Sequence, residues 1–481
     1  MKTRDCFMNK ILISIAFLGL FVFGVIAILA NYRLGGIYWD FIAYSLFAKS
    51  FLTPAFYSAL QSHTLMQALN YQNTFYYESF RAPLMPFVLL PLIVIFGQNF
   101  AVAYILLLMF LLPLAVFYIS KGLKMDLWIS LILFVNTYAL MFLTLLNGSE
   151  MLTMILLMFA VGLISKNKWQ AGILMALAGL AKYPSLIFLP LLFMLKGRNR
   201  NLAILSFIVV TLPWLAFNFY AFSNPLFGYL TSLSVFSSGN SILFPIVVIV
   251  ISLRLVLGVL VPAMLIFGIM IIYLLINDRN NGNRLVSYAK KLLLESDTKL
   301  VLALFVLGLL GFLAVSLHSN LDNLPRHGYL LYIGVSILLS FGITKQINFV
   351  EKRKQEAVRT IIYIAVLLIY ASMLVNFYAN ISTHYIFNGY GSTNQTVLSA
   401  VMALNQRGLG NCNIVSNAWV YLRFYGVKAH SPYFYNNTIQ HYPILLFSNI
   451  GVPSSIVNTD NVTKIYFYNN FTISLPQNYT C

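Results

Sequence analysis

Six charged residues stand at the borders of long apolar runs, where no membrane-spanning segment needs them: Asp40, Glu78, Arg81, Glu150, Lys182 and Arg326. Carboxylates so placed can take up a proton. Cations beside them can hold an anion, arginine by a bidentate fork and lysine as a compact point charge. Each has a plainer alternative. Asp40 could cap the helix that follows it, Glu150 could be a favourable charge at a helix N-terminus, and Arg81 and Arg326 could snorkel to headgroups. Lys182 is harder to dismiss, because a lysine inside an apolar segment is expensive and a functional candidate by default. His318, Asp322 and His327 form a looser cluster whose imidazole and oxygen donors suit a divalent ion, without tight ligand spacing.

These residues are spread over a scaffold made for a bilayer. About ten long apolar runs fill the chain from Ile11 to Tyr378, and a helical span of a hydrocarbon core takes roughly 20 apolar residues. Hydrophobic residues make up 60% of the 481 and charged residues only 9%, yet the formal net charge is +18. The excess lysines and arginines cluster between apolar runs, which fits the positive-inside rule and contact with anionic lipid rather than a nucleic-acid partner.

Basic loops thread the spans. Lys2, Arg4 and Lys10 precede Ile11 to Ala30 without a small-residue cleavage site, so this run reads as a retained span with a cytoplasmic N-terminus. The clusters at Lys121 and Lys124, Lys166 and Lys168, Lys196 to Arg200, Arg279 to Lys299 and Lys345 to Arg359 are then all cytoplasmic. Residues 31–99 form a large first outer loop in which the residues after Asp40 suggest an amphipathic interfacial helix, and Leu84 to Phe96, with its prolines, lies along the surface. Residues 169–195 carry positive charge on both flanks and read as two short antiparallel helices hinged at Lys182-Tyr183-Pro184. Such irregular backbone survives at depth only where protein or a water-filled cavity surrounds it. Arg254 is expected at an interface.

The fold class expected is therefore an α-helical polytopic membrane protein, residues 1–378, with about eleven transmembrane or half-membrane helices. A small extracytoplasmic α/β domain, residues 379–481, follows: 413–416 and 464–468 read as strands and 419–425 as a helix ending at Gly426. Asn380, Asn394, Asn436, Asn461, Asn470 and Asn478 each open an N-x-S/T sequon, and such asparagines are modified only outside the cytoplasm. Cys412 and Cys481 share that compartment and could pair, whereas Cys6 is expected to be cytoplasmic and free.

Several segments, in order, resemble the GT-C glycosyltransferases, in the branch that holds protein O-mannosyltransferases and the lipid A aminoarabinose transferase. They are Asp40 with Tyr44 after the first span, Phe80-Arg81-Ala82-Pro83 leading to Phe96-Gly97-Gln98-Asn99, Gly179-Leu180-Ala181-Lys182-Tyr183, Leu212-Pro213-Trp214, and Arg326-His327-Gly328-Tyr329. The chain departs from the family pattern where Asp40 is followed by Phe41 rather than a second acid, and where Arg81-Ala82-Pro83 replaces a His-Pro-Pro or Glu-Lys-Pro segment. The resemblance implies transfer of a sugar from a polyprenyl phosphate, of the dolichyl type, to a lipid, glycan or protein acceptor at the outer face, usually with inversion. It implies Asp40 as the general base, with Arg81, Lys182 and Arg326 on the donor phosphate. Glu78, Glu150, His318, Asp322 and His327 are then candidates for the acceptor or for a divalent metal, the one cofactor these residues could take. A transporter or flippase is the competing class, since it too has many spans and a few intramembrane charges, but no repeated half is visible. A non-catalytic membrane scaffold is a third reading.

Overall fold

The computed structural model describes residues 39–65, 78–79, 81–134, 148–236, 284–317, 328–349, 358–365, 391–430, 442–447, 462–468 and 470–476, with a few single positions. Arg254, His318, Asp322, Arg326, His327, Asn380, Asn436, Asn461, Asn478 and, apart from Val22, the first apolar run lie outside the described residues.

The first described helix is α1 (Trp39–Ser50), followed by α2 (Pro54–Gln61) and α3 (Leu84–Phe96). α1 corrects the expected amphipathic helix. Phe41, Ile42, Ala43, Tyr44, Phe47 and Ala48 are all buried, and a helix that is apolar all round has no face to offer to headgroups. α3 buries Met85, Pro86 and Leu89 against the bundle while Phe87, Val94 and Ile95 stay exposed. At 13 residues, roughly 20 Å, it is too short to cross a bilayer.

Next come α4 (Phe100–Leu123), α5 (Leu127–Phe134), α6 (Ser149–Ser165) and α7 (Ala171–Ala181). A 3-10 helix, Tyr183–Met194, follows. Pro184 and Pro190 remove backbone donors there, and 3-10 runs of this length are uncommon outside strained or functional segments. The long α8 (Gly197–Phe222), α9 (Phe227–Phe236), α10 (Arg284–Leu294), α11 (Ser296–Leu317) and α12 (Tyr329–Phe349) complete the helical part. Among the described residues α4, α8, α11 and α12 are long and apolar enough to cross a membrane, and four shorter apolar helices accompany them. Exposed Phe110, Phe117, Leu205, Val209, Leu212, Phe219, Val306 and Leu310 give these long helices an apolar outer surface, as a lipid-facing bundle requires. The chain is a multi-pass membrane protein.

Close helix approaches fix the directions. Gly122 and Gly162 let the ends of α4 and α6 touch, while Tyr104 near the start of α4 donates to the Gly148 carbonyl at 3.2 Å, so these helices run parallel. α5 runs against α12, with Asp126 bonded to Thr344 at one end and Tyr332 to the Leu133 carbonyl at the other. Asn167 accepts from the Lys196 backbone at 2.9 Å and its carbonyl accepts from Asn199 at 2.8 Å, so the segment between leaves and returns to the same end, turning at Lys182. The described basic loops consequently gather at one end of the bundle, and Asp40, Glu78, Glu150 and Lys182 at the other.

The remaining elements are α13 (Gly391–Gln406), β1 (Ile414–Ser416), α14 (Trp419–Phe424), β2 (Ala429–His430), β3 (Ile444–Phe447), β4 (Val462–Phe467) and β5 (Phe471–Pro476). They form one sheet in the order β2-β1-β3-β5-β4, parallel across β2-β1-β3 and antiparallel across β3-β5-β4. α14 stops before Gly426, whose φ of 87° suits a residue without Cβ. Cys412 and Cys481 form a disulfide that ties the last residue to the loop before β1. This small domain sits on α1. The Phe424 ring of α14 lies 6.2 Å from that of Phe100, and Lys49 of α1 stands 5.6 Å over it. Burial at this contact lowers the Lys49 pKa.

Candidate active site

Asp40, Glu78, Arg81, Glu150 and Lys182 gather where α1, α6, α12 and the turn at Lys182 come together. α1 presents Asp40 in its first turn, with Tyr44 one turn on along the same face. Arg81, only 5% exposed, donates from Nη1 to Asp40 Oδ1 at 3.0 Å and from Nε to Glu78 Oε2. Its guanidinium lies 5.0 Å from the centre of the Tyr44 ring. One cation is thus shared between two carboxylates and stacked on a phenol.

Tyr44 carries the cluster inward. Its hydroxyl is 3.5 Å from Ser149 Oγ, at the start of α6, and burial pushes its phenol up to about 12 against the opposing pull of Arg81. The next residue, Glu150, is 2% exposed and accepts a hydrogen bond on Oε1 from Lys182 Nζ. Lys182 in turn stands 5.8 Å over the ring of Tyr329, the first residue of α12. The Tyr329 hydroxyl is fully buried and has no hydrogen-bond partner in the described structure.

This geometry changes the reading of three residues. A lipid phosphate was expected to supply Lys182 with its partner, but Glu150 already supplies one. Glu150 is in the first turn of α6, as a helix N-terminus favours, and also serves the lysine. Glu78, expected to meet acceptor or metal, is bound to Arg81. Asp40, Arg81, Glu150 and Lys182 nonetheless belong to one continuous cluster through Tyr44 and Ser149. Arg326, His318, Asp322 and His327 lie outside the described residues, so their place in it is not described.

Charge patterning could not have found Ser149 or Tyr104. The i, i+4 spacing of Asp40 and Tyr44 did carry a signal, as did Trp214 of the Leu212-Pro213-Trp214 segment, whose Nε1 donates to the Tyr183 hydroxyl at 2.9 Å. Tyr183 also lines an apolar cavity of about 260 Å³ with Leu180, Phe207, Trp214, Leu215 and Tyr229. Gly228 closes the gap between this cavity and the charged cluster. A Cβ there would come within 2.9 Å of the Tyr183 hydroxyl and 2.8 Å of the Ser79 carbonyl, two residues from Arg81.

A divalent metal does not fit this cluster as it stands. Arg81 occupies the position between Asp40 and Glu78 that a bridging ion would need, and no group of three His, Cys, Asp or Glu gathers among the described residues.

No family model matches the chain, and no curated protein matches it. Solved structures do. The apo crystal structure of the Archaeoglobus fulgidus oligosaccharyltransferase is 10% identical with a TM-score of 0.48, over 87% of this chain and 65% of that one. The archaeal oligosaccharyltransferase AglB from the same organism, in complex with an inhibitory peptide and a dolichol-phosphate, is 9% identical with a TM-score of 0.47, over 90% and 69%. The complex of the Archaeoglobus enzyme with Zn and sulfate is 11% identical with a TM-score of 0.47, over 89% and 68%. The chain spans about two thirds of the length of these proteins, and at such values its site rests on its own residues.

Proposed function

We propose that the chain is a membrane glycosyltransferase that takes a sugar from a polyprenyl-phosphate carrier and passes it, by inverting displacement, to a lipid, glycan or protein acceptor at the outer face. The observation that carries this reading is a double one: two side-chain ion pairs, Asp40 with Arg81 and Glu150 with Lys182, meet at Tyr44 and Ser149 beside an apolar cavity. A donor with a charged head and an apolar tail matches both halves. By proportion with the 150 Å³ hole that binds benzene, a cavity of 260 Å³ takes about ten carbon atoms, or two isoprene units.

In this mechanism Arg81 and Lys182 exchange carboxylate oxygens for phosphate oxygens as the donor arrives, each keeping its charge compensated throughout. Asp40, released from Arg81, takes the proton of the acceptor hydroxyl as that oxygen bonds the anomeric carbon. The bond from that carbon to the carrier phosphate breaks, its electron pair stays on the phosphate, and the two cations hold the growing charge. Neutral Tyr44 keeps Arg81 level over the site.

Transfer from a panel of polyprenyl-phosphate sugars to extracted lipids and glycans tests this. Asp40→Asn keeps the size of the side chain but removes its basicity, so turnover should fall roughly 10²-fold or more while the melting temperature stays put. Undiminished turnover in that variant removes Asp40 from the chemistry. The buried Glu150–Lys182 pair by itself would also suit a transporter. Movement of the intact donor across a proteoliposome membrane, with no new glycosidic bond, would favour that reading.

A further inference from the structure

Among the described residues, the outer strand of the sheet carries an exposed apolar face. Among the described residues β4 pairs with β5 on one side and with no strand on the other. Ile465 and Phe467 alternate along it and are 47% and 77% exposed. The opposite face is occupied: the Arg407 guanidinium lies 3.5 Å from the centre of the Tyr466 ring, and its Nε donates to the Tyr468 hydroxyl at 3.0 Å. A phenylalanine this exposed on an edge strand invites pairing with another chain.

Register determines what can cover it. Phe467 is paired with Thr472 and Ile465 with Ser474. Directly opposed residues point to the same face, so Thr472 stands beside the Phe467 ring. Thr472 is the third residue of the sequon Asn470-Phe471-Thr472. β4 and β5 are joined by a tight turn closed by the Tyr468 N–H donating to the Phe471 carbonyl at 3.0 Å, and Asn470 is exposed beside it. Of the other sequons, Asn394 falls within α13, a less accessible backbone than a hairpin turn. The Cys412–Cys481 disulfide belongs to the same domain and suits an oxidising, extracytoplasmic compartment, where sequons are modified.

We propose that Asn470 carries an N-linked glycan whose first sugar lies over Phe467 and Ile465 and covers this exposed face of β4. The glycan comes from a lipid-linked oligosaccharide. The bond from its C1 to the phosphate oxygen breaks with the electron pair left on phosphate, C1 bonds to Nδ2 of Asn470, and the amide gives up one of its two protons, which balances the departing phosphate. The C–H face of the sugar then covers the Phe467 ring, and its hydroxyls replace the apolar surface with one that water wets. Any transferase of that compartment can supply the step, so the modification does not depend on the activity proposed for this chain.

Two measurements on the full chain decide it. The first is peptide mapping by mass spectrometry of protein purified from the membranes of the cells that make it. The peptide holding Asn470 should carry a mass increment in hexose-type steps, and an unmodified peptide in all molecules overturns the proposal. The second is thermal unfolding, with binding of a hydrophobic dye, for Asn470→Gln and for Thr472→Ala, each alone and each combined with Phe467→Ser. Both sequon changes should lower the midpoint of the small domain and raise dye binding. Neither should do so once Phe467 is replaced. Equal effects with and without Phe467→Ser would mean that the glycan does not lie on that ring, and the covering role falls.

Discussion

The two ends of the helical bundle bury charge differently. At the basic end Asp126 is committed to the fold: Oδ1 accepts from the backbone of Trp128 at 3.0 Å and of Ile129 at 3.3 Å, capping α5. Its Oδ2 accepts from the Tyr363 hydroxyl at 2.5 Å and lies 3.4 Å from Arg359 Nε, while its own N–H donates to Thr344 at 2.9 Å. At the other end Arg81 and Lys182 reach side-chain carboxylates on α1, α6 and the loop at Glu78, with phenol rings beside them. A carboxylate spent on a helix cap cannot leave without unravelling the helix. A carboxylate spent on a lysine can give way to another anion by a change of rotamer. The comparison therefore separates charge that holds the structure from charge that can be exchanged for a ligand.

The sharpest way to break it is to neutralise one acid at each end. Asp40→Asn should abolish transfer by roughly 10²-fold or more with little effect on folding. Asp126→Ala should do the reverse: the lost cap alone costs about 1–2 kcal/mol of stability, and each molecule that remains folded should turn over normally. Loss of activity per folded molecule in the Asp126 variant would mean that the basic end is not merely structural.

Lys182 gives the next largest effect. With its charge deleted, Glu150 would remain in the bundle as an uncompensated buried carboxylate, so Lys182→Met should destabilise by about 3–5 kcal/mol rather than leave stability unchanged. Pairing it with Glu150→Leu removes both charges and should restore most of that stability. Binding of a polyprenyl phosphate, measured in detergent, should be weak in the double variant all the same. Tight binding there would place the phosphate elsewhere.

A third, smaller effect tests the domain that rests on α1. His430 of β2 is 7% exposed and stacks on Tyr442 with ring centres 5.5 Å apart. Burial first, and then the nearby Arg423 charge, lowers its pKa from 6.5 to about 4. On acidification the unfolded chain takes this proton first. The stability His430 contributes is therefore complete above about pH 6.5 and is lost as pH falls to about 4, on the order of 1–3 kcal/mol in all. The midpoint of the small domain should follow that window in the parent and be flatter in His430→Gln.

The elements were more legible than the partnerships. Long apolar runs specify spans because only a helix can satisfy its backbone in lipid, and charge on both flanks of residues 169–195 forces the chain back to the end it came from. α1 was misjudged because spacing shows which residues share a face but not that α14, drawn from a separate domain, covers the other side. The same limit applies to the site. Asp40, Arg81, Glu150 and Lys182 could be picked out by what their charges cost in an apolar setting. That Glu150 pairs with Lys182, and Glu78 with Arg81, depends on contacts between segments far apart in sequence or folded in a loop, and no local pattern encodes them.

Tyr329 offers the smallest effect and the finest test of whether the site end exchanges partners. Its hydroxyl is fully buried beside Lys182 without a hydrogen-bond partner, and a buried polar group so placed costs stability that a phenyl ring of the same shape would not. Tyr329→Phe should thus leave the ligand-free protein as stable as before or more so, by about 1 kcal/mol. If Lys182 turns from Glu150 to a donor phosphate, the phenol gains an acceptor, either the phosphate or the carboxylate that the lysine has left. The donor should then raise the melting temperature of the parent more than that of Tyr329→Phe, reversing their order as donor is added. Parallel shifts in the two proteins would mean that the hydroxyl stays idle with donor bound, and that the pair beneath it is as fixed as the cap at the other end.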